Sequence, residues 1–384
     1  MFGYDRVVAR NSHDLNFENA RQYREKHEDC RLGCLMPWKA LYMDELDGRV
    51  AALPCCLSWI KAEYGTVGEA SLESLWNSDG AQRIRELLAS GRQDEICDPH
   101  CPYLISGNYG EAALREIDGP PEFVANQRLN NLEIAQRRTY LHSHPMLLKV
   151  LPTLKCNLHC TMCFQNHDAH FELPALVWQE INSLLPFTHE VTFQGGEVTV
   201  DDAFRVFLES QSLRDNPHVR ISLITNGTVL DEALQERLSQ VRVNYVIVSV
   251  NAATRETYRR ISGKDMFDRV AHNLRTLSTM GSTHAKGNFS VYASFVVMRS
   301  NFHELPRFIK FAGNAGTQVQ LLHVLGDRNG EDIFVRQDQH AALRQILDET
   351  LGLATGQARD QVMRICTILD SYRTSPLWTS EGQR

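Results

Sequence analysis

Met146-Leu-Leu-Lys-Val-Leu-Pro-Thr-Leu154 is an apolar strand-like run, and it leads at once into Cys156-Asn-Leu-His-Cys160-Thr-Met-Cys163, three cysteines at x3 and x2 spacing. Ordinary four-iron clusters take four cysteine ligands. Three thiolates in one short loop can hold such a cluster while one iron keeps no protein ligand, and an open iron can bind a reactant. A zinc site completed by His159, His167 or His170 would use the same thiols. A chance group of core cysteines is the third reading.

Downstream, strand-like runs recur at 190–193, 219–224, 244–250, 289–298 and 318–325, with helix-length amphipathic segments between most of them. Together with 146–154 they make six strand-plus-helix units, which predict an α/β fold with a parallel sheet, curled into an open barrel or left as a doubly wound layer. In either form the site belongs at the C-terminal edge of the strands. The candidate motifs fall there: Cys156 follows the first strand, Gln194-Gly195-Gly196-Glu197 the second and Thr225-Asn226-Gly227 the third, while Ser249 and Asn251 close the fourth. The two glycines allow a backbone to approach a ligand closely, and the Glu197 carboxylate complements an ammonium group.

Upstream, residues 1–26 are polar and read as an extension or short helix. Residues 27–115 hold Cys30, Cys34, Cys55, Cys56, Cys97 and Cys101, a hairpin over 41–52 turning at Asp47-Gly48, and a helical stretch near 71–90 that opens on the hydroxyl of Ser71. Gly119-Pro120-Pro121 breaks the pattern. Residues 116–145 read as a linker with a polar helix, 146–335 as the barrel, and 336–384 as one or two covering helices that carry Cys366, a buried small residue.

The 384 residues suit two domains. A hydrophobic share of 43% and a charged share of 23% are those of an ordinary globular protein, and with a net charge of −7 nucleic acid is not suggested as a partner. The chain shows neither a signal-peptide layout nor an apolar run near the ~18 residues that span a bilayer, so no membrane partner and a cytoplasmic location are expected. The ten cysteines fall at 30/34, 55/56, 97/101 and 156/160/163 with Cys366 alone, which is metal-ligand spacing in a reducing compartment rather than a disulfide framework.

With these residues in place, roughly 146–325 resembles the radical S-adenosylmethionine (radical SAM) superfamily, and Cys156-x3-Cys160-x2-Cys163 is similar to its cluster motif. The resemblance implies a partial (β/α)6 barrel with a small cysteine-rich α+β N-terminal domain. It implies a catalytic 4Fe-4S cluster on Cys156, Cys160 and Cys163, with S-adenosyl-L-methionine on the open iron. Reductive cleavage of SAM would then give a 5′-deoxyadenosyl radical that abstracts a substrate hydrogen. Gln194, Gly195, Gly196 and Glu197 would hold the amino group of SAM, and Ser249 and Asn251 its ribose and carboxylate. The chain departs from the family pattern at Met162, where an aromatic residue is usual and Phe164 follows, at Asn251 for aspartate and at Ser262 for arginine. Arg299, at the end of the fifth strand, is a candidate cation for the SAM carboxylate or a plain surface arginine.

Residues 27–115 resemble the SPASM or twitch domains that carry auxiliary clusters, although in most such proteins the module follows the barrel. The resemblance rests on Cys34-Leu-Met-Pro37-Trp38, Cys55-Cys56, Ser71-Leu-Glu-Ser-Leu-Trp76-Asn77-Ser78 and Cys97-x3-Cys101-Pro102. It implies an auxiliary 4Fe-4S cluster on Cys34, Cys55, Cys97 and Cys101, with Cys56 or Cys30 as alternates; a structural zinc in the same thiols is the other reading. The expected activity is of oxidoreductase type, with a reductase, flavodoxin or ferredoxin as electron donor. The ~30 residues before Cys30 are shorter than a domain that binds a leader peptide as an added strand, so the expected substrate is a small molecule such as a sugar or natural-product intermediate. Peptide or protein modification is the alternative, and a non-catalytic metal-binding scaffold the reading of another class. His323, at the end of the sixth strand, is an acid, a base or a rim histidine. His167, Asp168 and His170 solvate the cluster loop, and Cys366 is a candidate hydrogen donor.

Overall fold

Nine strands form one sheet in the order β3-β2-β1-β4-β5-β6-β7-β8-β9. They are β1 Ala40–Leu46, β2 Arg49–Leu53, β3 Gly65–Thr66, β4 Leu147–Val150, β5 Glu190–Phe193, β6 Arg220–Thr225, β7 Arg242–Ser249, β8 Ser290–Val297 and β9 Gln318–His323. The computed structural model of the chain describes residues 34–46, 48–98, 101, 116–163, 165, 171–324 and 328–374. Residues 1–26, Cys30, Asp47, Pro102, Phe164, His167, Asp168 and His170, on which some of the expectations fall, lie outside them.

Strands β4 to β9 are the six expected from the apolar runs, and all pair in parallel. One face of this sheet is packed against helices. Val191 and Phe193 are fully buried there, with the Phe193 ring 4.9 Å from Phe204, 5.3 Å from Phe207 and 6.0 Å from Trp178. The other face is polar. Lys149, Thr192, Ser222 and Tyr245 stand in register across four strands, and Glu190 accepts from the Ser222 hydroxyl at 2.6 Å. This period-two alternation separates an apolar helix-facing side from a polar inner side.

The N-terminal hairpin does not stand apart from the barrel. β1 pairs in parallel with β4 through Ala40↔Leu147, Leu41↔Leu148 and Tyr42↔Lys149, and β2 and β3 follow antiparallel. An open β4 edge would leave a row of unpaired backbone groups, and the hairpin satisfies them. The stretch at 71–90 is two helices rather than one, Leu72–Trp76 and Asp79–Ala89, each capped by a serine hydroxyl that accepts an N–H at 3.1 Å: Ser71 from Ser74 and Ser78 from Ala81. Two caps in succession interrupt the helix at Asn77-Ser78.

The segment expected as a linker is packed into the molecule. Its helix, Pro121–Ala135, buries Phe123, Asn130 and Glu133; Asn130 Nδ2 donates to Trp38 O at 2.6 Å, and Glu133 accepts from His142 N at 2.6 Å and from the Ser143 hydroxyl at 2.5 Å. Arg85 is completely buried and donates to Pro37 O at 2.9 Å, Thr139 O at 2.7 Å and Trp76 O at 2.7 Å. It ties the hairpin, the serine-capped helices and the following segment together. At the far edge, β9 is covered by the helices Leu305–Asn314 and Gly356–Thr374, and the helix His340–Leu353 packs on both of these. Near the ends of the sheet, Trp59 and His323 approach to 6.4 Å between ring centroids, so the sheet curls until the segment after β2 faces the end of β9. Among the described residues no helix is long and apolar enough to cross a membrane.

Candidate functional site

The cysteine loop at the exit of β4 is held from three sides by the exits of other strands. From β6, Asn226 Nδ2 donates to Asn157 Oδ1 at 2.8 Å and lies 3.9 Å from Cys156 Sγ, and Thr228 Oγ1 accepts from Asn157 Nδ2 at 2.8 Å. From the helix after β7, Arg255–Ser262, the carbonyls of Ser262 and Ile261 accept the N–H groups of His159 at 3.0 Å and Thr161 at 2.9 Å. From the turn after β9, Arg328 donates to Cys163 O at 2.7 Å and Asn329 Nδ2 to Thr161 O at 2.8 Å. Asn329 has φ +52°, a left-handed conformation that asparagine adopts more readily than most residues.

The three thiols are half-buried. Burial pushes Cys160 up to about 12, with the charges of Cys163 and Cys156 adding to it. Burial also raises Cys156 and Cys163. The Leu158 N–H and the Asn226 amide oppose the rise at Cys156, and the Gln165 N–H and the Arg328 guanidinium oppose it at Cys163. Each thiol thus needs a positive partner to ionise, and binding a metal cluster releases its proton. The donor set fits an iron–sulfur cluster: three soft ligands whose charges bear on one another, with N–H donors and a cation around them. As they stand, no group of three or more His, Cys, Asp or Glu side chains among the described residues is arranged to hold a metal ion.

The glycines at the exit of β5 are required by the protein's own backbone. A Cβ on Gly195 would lie 2.6 Å from Thr153 O, and one on Gly196 only 2.1 Å from Lys155 O. Gly196 N donates to Thr153 O at 2.8 Å and Glu197 N to Lys155 O at 2.7 Å. The second strand's exit is thereby sewn to the segment entering the cysteine loop. Glu197 is fully buried. Its Oε1 accepts from Thr199 N at 3.0 Å, Thr199 Oγ1 at 2.6 Å and Thr225 Oγ1 at 2.5 Å, and its Oε2 from Asn226 N at 2.6 Å. A carboxylate offers about four lone-pair positions, so this one is largely committed to the protein.

Ser249 ends β7 half-buried, and Asn251 follows at φ +59°. Asn251 Oδ1 accepts from Val296 N at 2.8 Å and its carbonyl from Asn301 Nδ2 at 2.9 Å, which leaves the side-chain NH2 as its group for a ligand. Met162 makes an apolar contact with the group Ile261, Met298 and Val324. Arg299 is exposed, and its backbone N–H donates to Glu331 O at 2.9 Å.

In the N-terminal part, Cys34, Cys55, Cys97 and Cys101 come together. The Cys55 thiol is pushed far up by burial, and the charges of Cys34, Cys101 and Cys97 add to it. Cys97 is likewise raised by burial and by Cys34 and Cys101. Cys56 turns differently, its Sγ 3.7 Å from Ser58 Oγ and its charge bearing on Lys149 of β4. Asp98 N donates to Trp59 O at 2.9 Å, so the Cys97–Cys101 segment is tied to the segment after Cys55-Cys56. His323 packs against Trp59 at 6.4 Å and Phe334 at 5.9 Å between ring centroids. Cys366 is buried in the Gly356–Thr374 helix beside Arg344, Asp348 and Asp370, outside both cysteine groups. Sequence reasoning missed Arg328 and Asn329, whose turn has no motif, and gave Asn226 no role although Thr225-Asn226-Gly227 marked its strand exit.

Residues 150–312 match the family model of the radical SAM superfamily, and residues 34–102 match SPASM, an iron–sulfur cluster-binding domain. The uncharacterized protein MJ0804 of Methanocaldococcus jannaschii is 25% identical over 184 residues, which cover 47% of this chain and 58% of that protein. A probable GTP 3′,8-cyclase of Saccharolobus islandicus is 26% identical over 215 residues, covering 53% of this chain and 64% of the cyclase. The chain thus spans about three fifths of these curated relatives, 58% and 64% of their lengths. Among solved structures, Streptococcus suis SuiB bound to precursor peptide SuiA aligns with a TM-score of 0.44 at 15% identity, covering 73% of this chain and 62% of SuiB.

Proposed function

The chain belongs to the radical SAM superfamily and carries a SPASM-type iron–sulfur domain ahead of its barrel, and from that premise we propose that it is an enzyme that abstracts a hydrogen atom from a side chain of a peptide or protein. A 4Fe-4S cluster and SAM at the barrel, and iron–sulfur at the SPASM domain, come with that membership. Bound at the barrel, the cluster supplies the electron that splits SAM into methionine and a 5′-deoxyadenosyl radical.

The observation that carries the reading is the convergence of the β6, β7 and β9 exits on Cys156, Cys160 and Cys163. These thiols are the proposed cluster ligands. Gln194, Gly195 and Gly196 would hold the SAM amino group, with Glu197 ordering that strand end from beneath. Ser249 and the Asn251 NH2 would take its ribose and carboxylate. Cys34, Cys55, Cys97 and Cys101 would hold the auxiliary cluster, which either accepts the electron left after hydrogen abstraction, making the net change an oxidation, or binds substrate. A cytoplasmic reductase, flavodoxin or ferredoxin would deliver the first electron.

The peptide or protein reading is supported by the SPASM match, since the resemblance includes peptides and protein side chains among the substrates of such proteins. The length of the segment before Cys30 does not weigh against it, because a leader can be held by surfaces other than an added domain. A small molecule is the second reading.

Anaerobic reconstitution with iron and sulfide, followed by dithionite and SAM, tests the proposal. The expected result is about eight irons per chain, four for each cluster, and 5′-deoxyadenosine that disappears in Cys160→Ala. No 5′-deoxyadenosine from fully loaded protein would overturn it in favour of a metal-binding scaffold. Synthetic peptide pools should raise 5′-deoxyadenosine formation more than pools of sugars and small amines do; the reverse order would make the small molecule the substrate.

A further inference from the structure

The inner wall of the curled sheet can be read row by row from the strand registers. On β8, Phe295 faces the helices, its ring 4.7 Å from that of Phe308, so Tyr292 and Ser294 face inward. The Tyr292 ring accordingly meets that of Tyr245 on the inner side, 6.4 Å away. On β9, Val319 and Leu321 are buried on the helix side, and Gln320, in register with Ser294, faces inward.

The lowest of these rows, Lys149, Thr192, Ser222 and Tyr245, is closed on itself. Lys149 donates to Asp44 at 3.0 Å, Ser222 and Asn244 donate to Glu190 at 2.6 Å and 3.0 Å, and Thr192 Oγ1 lies 3.4 Å from Tyr245 Oη. The next row holds Ile224, Ile247 and Tyr292. Above it Ser249, Ser294 and Gln320 stand in register at the sheet edge that carries the cysteine loop. Lys149 and Ser222 are buried, whereas Tyr292 and Gln320 are half-buried, so the space inside the sheet opens above the lowest row. Neither the Tyr292 hydroxyl nor the Gln320 carboxamide has a hydrogen-bond partner among the described residues. Gln320 is two strands from Ser249 in one row, ~10 Å away.

A carboxamide carries both an acceptor and donors, so it can take the N–H and the C=O of one peptide group together. The molecule makes that pairing itself on the outer side of β9, where Gln357 accepts from Val319 N at 3.1 Å and donates to Val319 O at 2.6 Å. We infer that Gln320 and Tyr292 are substrate-binding residues: the Gln320 carboxamide pairs with a peptide group of the substrate, and Tyr292 Oη bonds the polar tip of the neutral side chain thereby placed inside the sheet. This deepens the peptide reading above and rests on it. The side chain is neutral because Lys149 is already paired with Asp44 and Glu190 is held beneath Thr192 by two donors; a charged group entering here would be stranded without a counterion.

The test uses reconstituted full-length protein with dithionite, SAM and pools of capped tripeptides, acetyl-Gly-Xaa-Gly-amide, in which Xaa is neutral, acidic or basic. The neutral pool should raise 5′-deoxyadenosine formation most. Gln320→Leu should raise the KM for that pool about tenfold, with iron content and SAM affinity, the latter by equilibrium dialysis, at wild-type levels. Methylating the peptide nitrogens should weaken wild type by a similar factor and leave Gln320→Leu no worse, since the same hydrogen bond is missing in both. Tyr292→Phe should lower kcat/KM for Ser, Thr, Asn and Gln at Xaa and spare Val and Leu. An equal KM in wild type and Gln320→Leu overturns the inference. So do losses that multiply on methylation, which would give Gln320 a structural role, weakened SAM binding, which would assign its carboxamide to SAM, or a charged pool that stimulates more than the neutral one. Stimulation by sugars or small amines and by no peptide pool would mean that the peptide reading itself has failed, whatever the variants do.

Discussion

Gly196 stands where any side chain would meet Lys155 O at 2.1 Å, and the same strand end buries Glu197 under four hydrogen bonds. Read in the sequence, Gly-Gly-Glu is a place where a ligand approaches a backbone and a carboxylate meets an ammonium. In the fold, the close approach is between two chain segments, and the carboxylate braces β6. The motif positions the cysteine loop before it touches any ligand. Gly196→Ala must therefore push the β5 exit away from Lys155. A loss of ~2–4 kcal/mol is expected for overpacking against rigid backbone, together with less iron retained after reconstitution. Urea denaturation of the iron-free variant and an iron count would check both, and a chain of wild-type stability that loads iron fully would refute this account.

At the scale of elements, the exposed edge of β9 is closed by side chains rather than by another strand. Gln357 Oε1 accepts from Val319 N at 3.1 Å while its Nε2 donates to Val319 O at 2.6 Å; Gln361 Oε1 accepts from Leu321 N at 3.1 Å, and Arg364 donates to Leu321 O. Alternate strand residues stand ~6.6 Å apart and helix residues four apart ~6.0 Å, so Gln357 and Gln361 match Val319 and Leu321. The carboxamides imitate a tenth strand. Replacing both with alanine should cost ~1–3 kcal/mol and open a row of backbone groups to pairing with a second chain. Sedimentation would then show concentration-dependent association, and an unaltered sedimentation profile would count against the edge-capping role. With β1 on the β4 edge and this helix on β9, a peptide substrate cannot be held as an added strand beside either of them.

For the molecule as a whole, the decisive contact is between the hairpin and the barrel. Lys149 of β4 and Asp44 of β1 form a 3.0 Å ion pair, each side chain 7% exposed, with the ammonium 5.7 Å from the Tyr42 ring centroid. Such a pair adds little over a well-packed apolar pair, but losing one partner strands a buried charge at ~3–5 kcal/mol. Asp44→Ala should show a loss of that size in denaturation, and Asp44→Leu combined with Lys149→Met should recover most of it. A loss under 1 kcal/mol in Asp44→Ala, ~a typical surface change, would mean that the lysine finds water and the junction is looser than its geometry implies. Beyond stability, the pair keeps the N-terminal cysteine group in register with the barrel, since β1 and β2 lead directly to Cys55.

The chain's own order determined what is local. Six strand runs, the x3 and x2 cysteine spacing, the glycines after β5 and the serine cap at Ser71 each depend on residues within a few positions of one another, and they could be read without coordinates. The fold class, both cysteine groups and the sheet edge that carries the site were legible for that reason. The structure alone decided which distant residues meet there: Asn226 lies 70 residues from Cys156, Arg328 165 from Cys163 and Asn329 168 from Thr161. It also decided that the hairpin extends the barrel sheet and that Glu197 faces inward. Sequence spacing carries no record of such meetings, because they are set by how a parallel sheet brings separate strand exits to one edge and by the need of each buried polar group to find a partner.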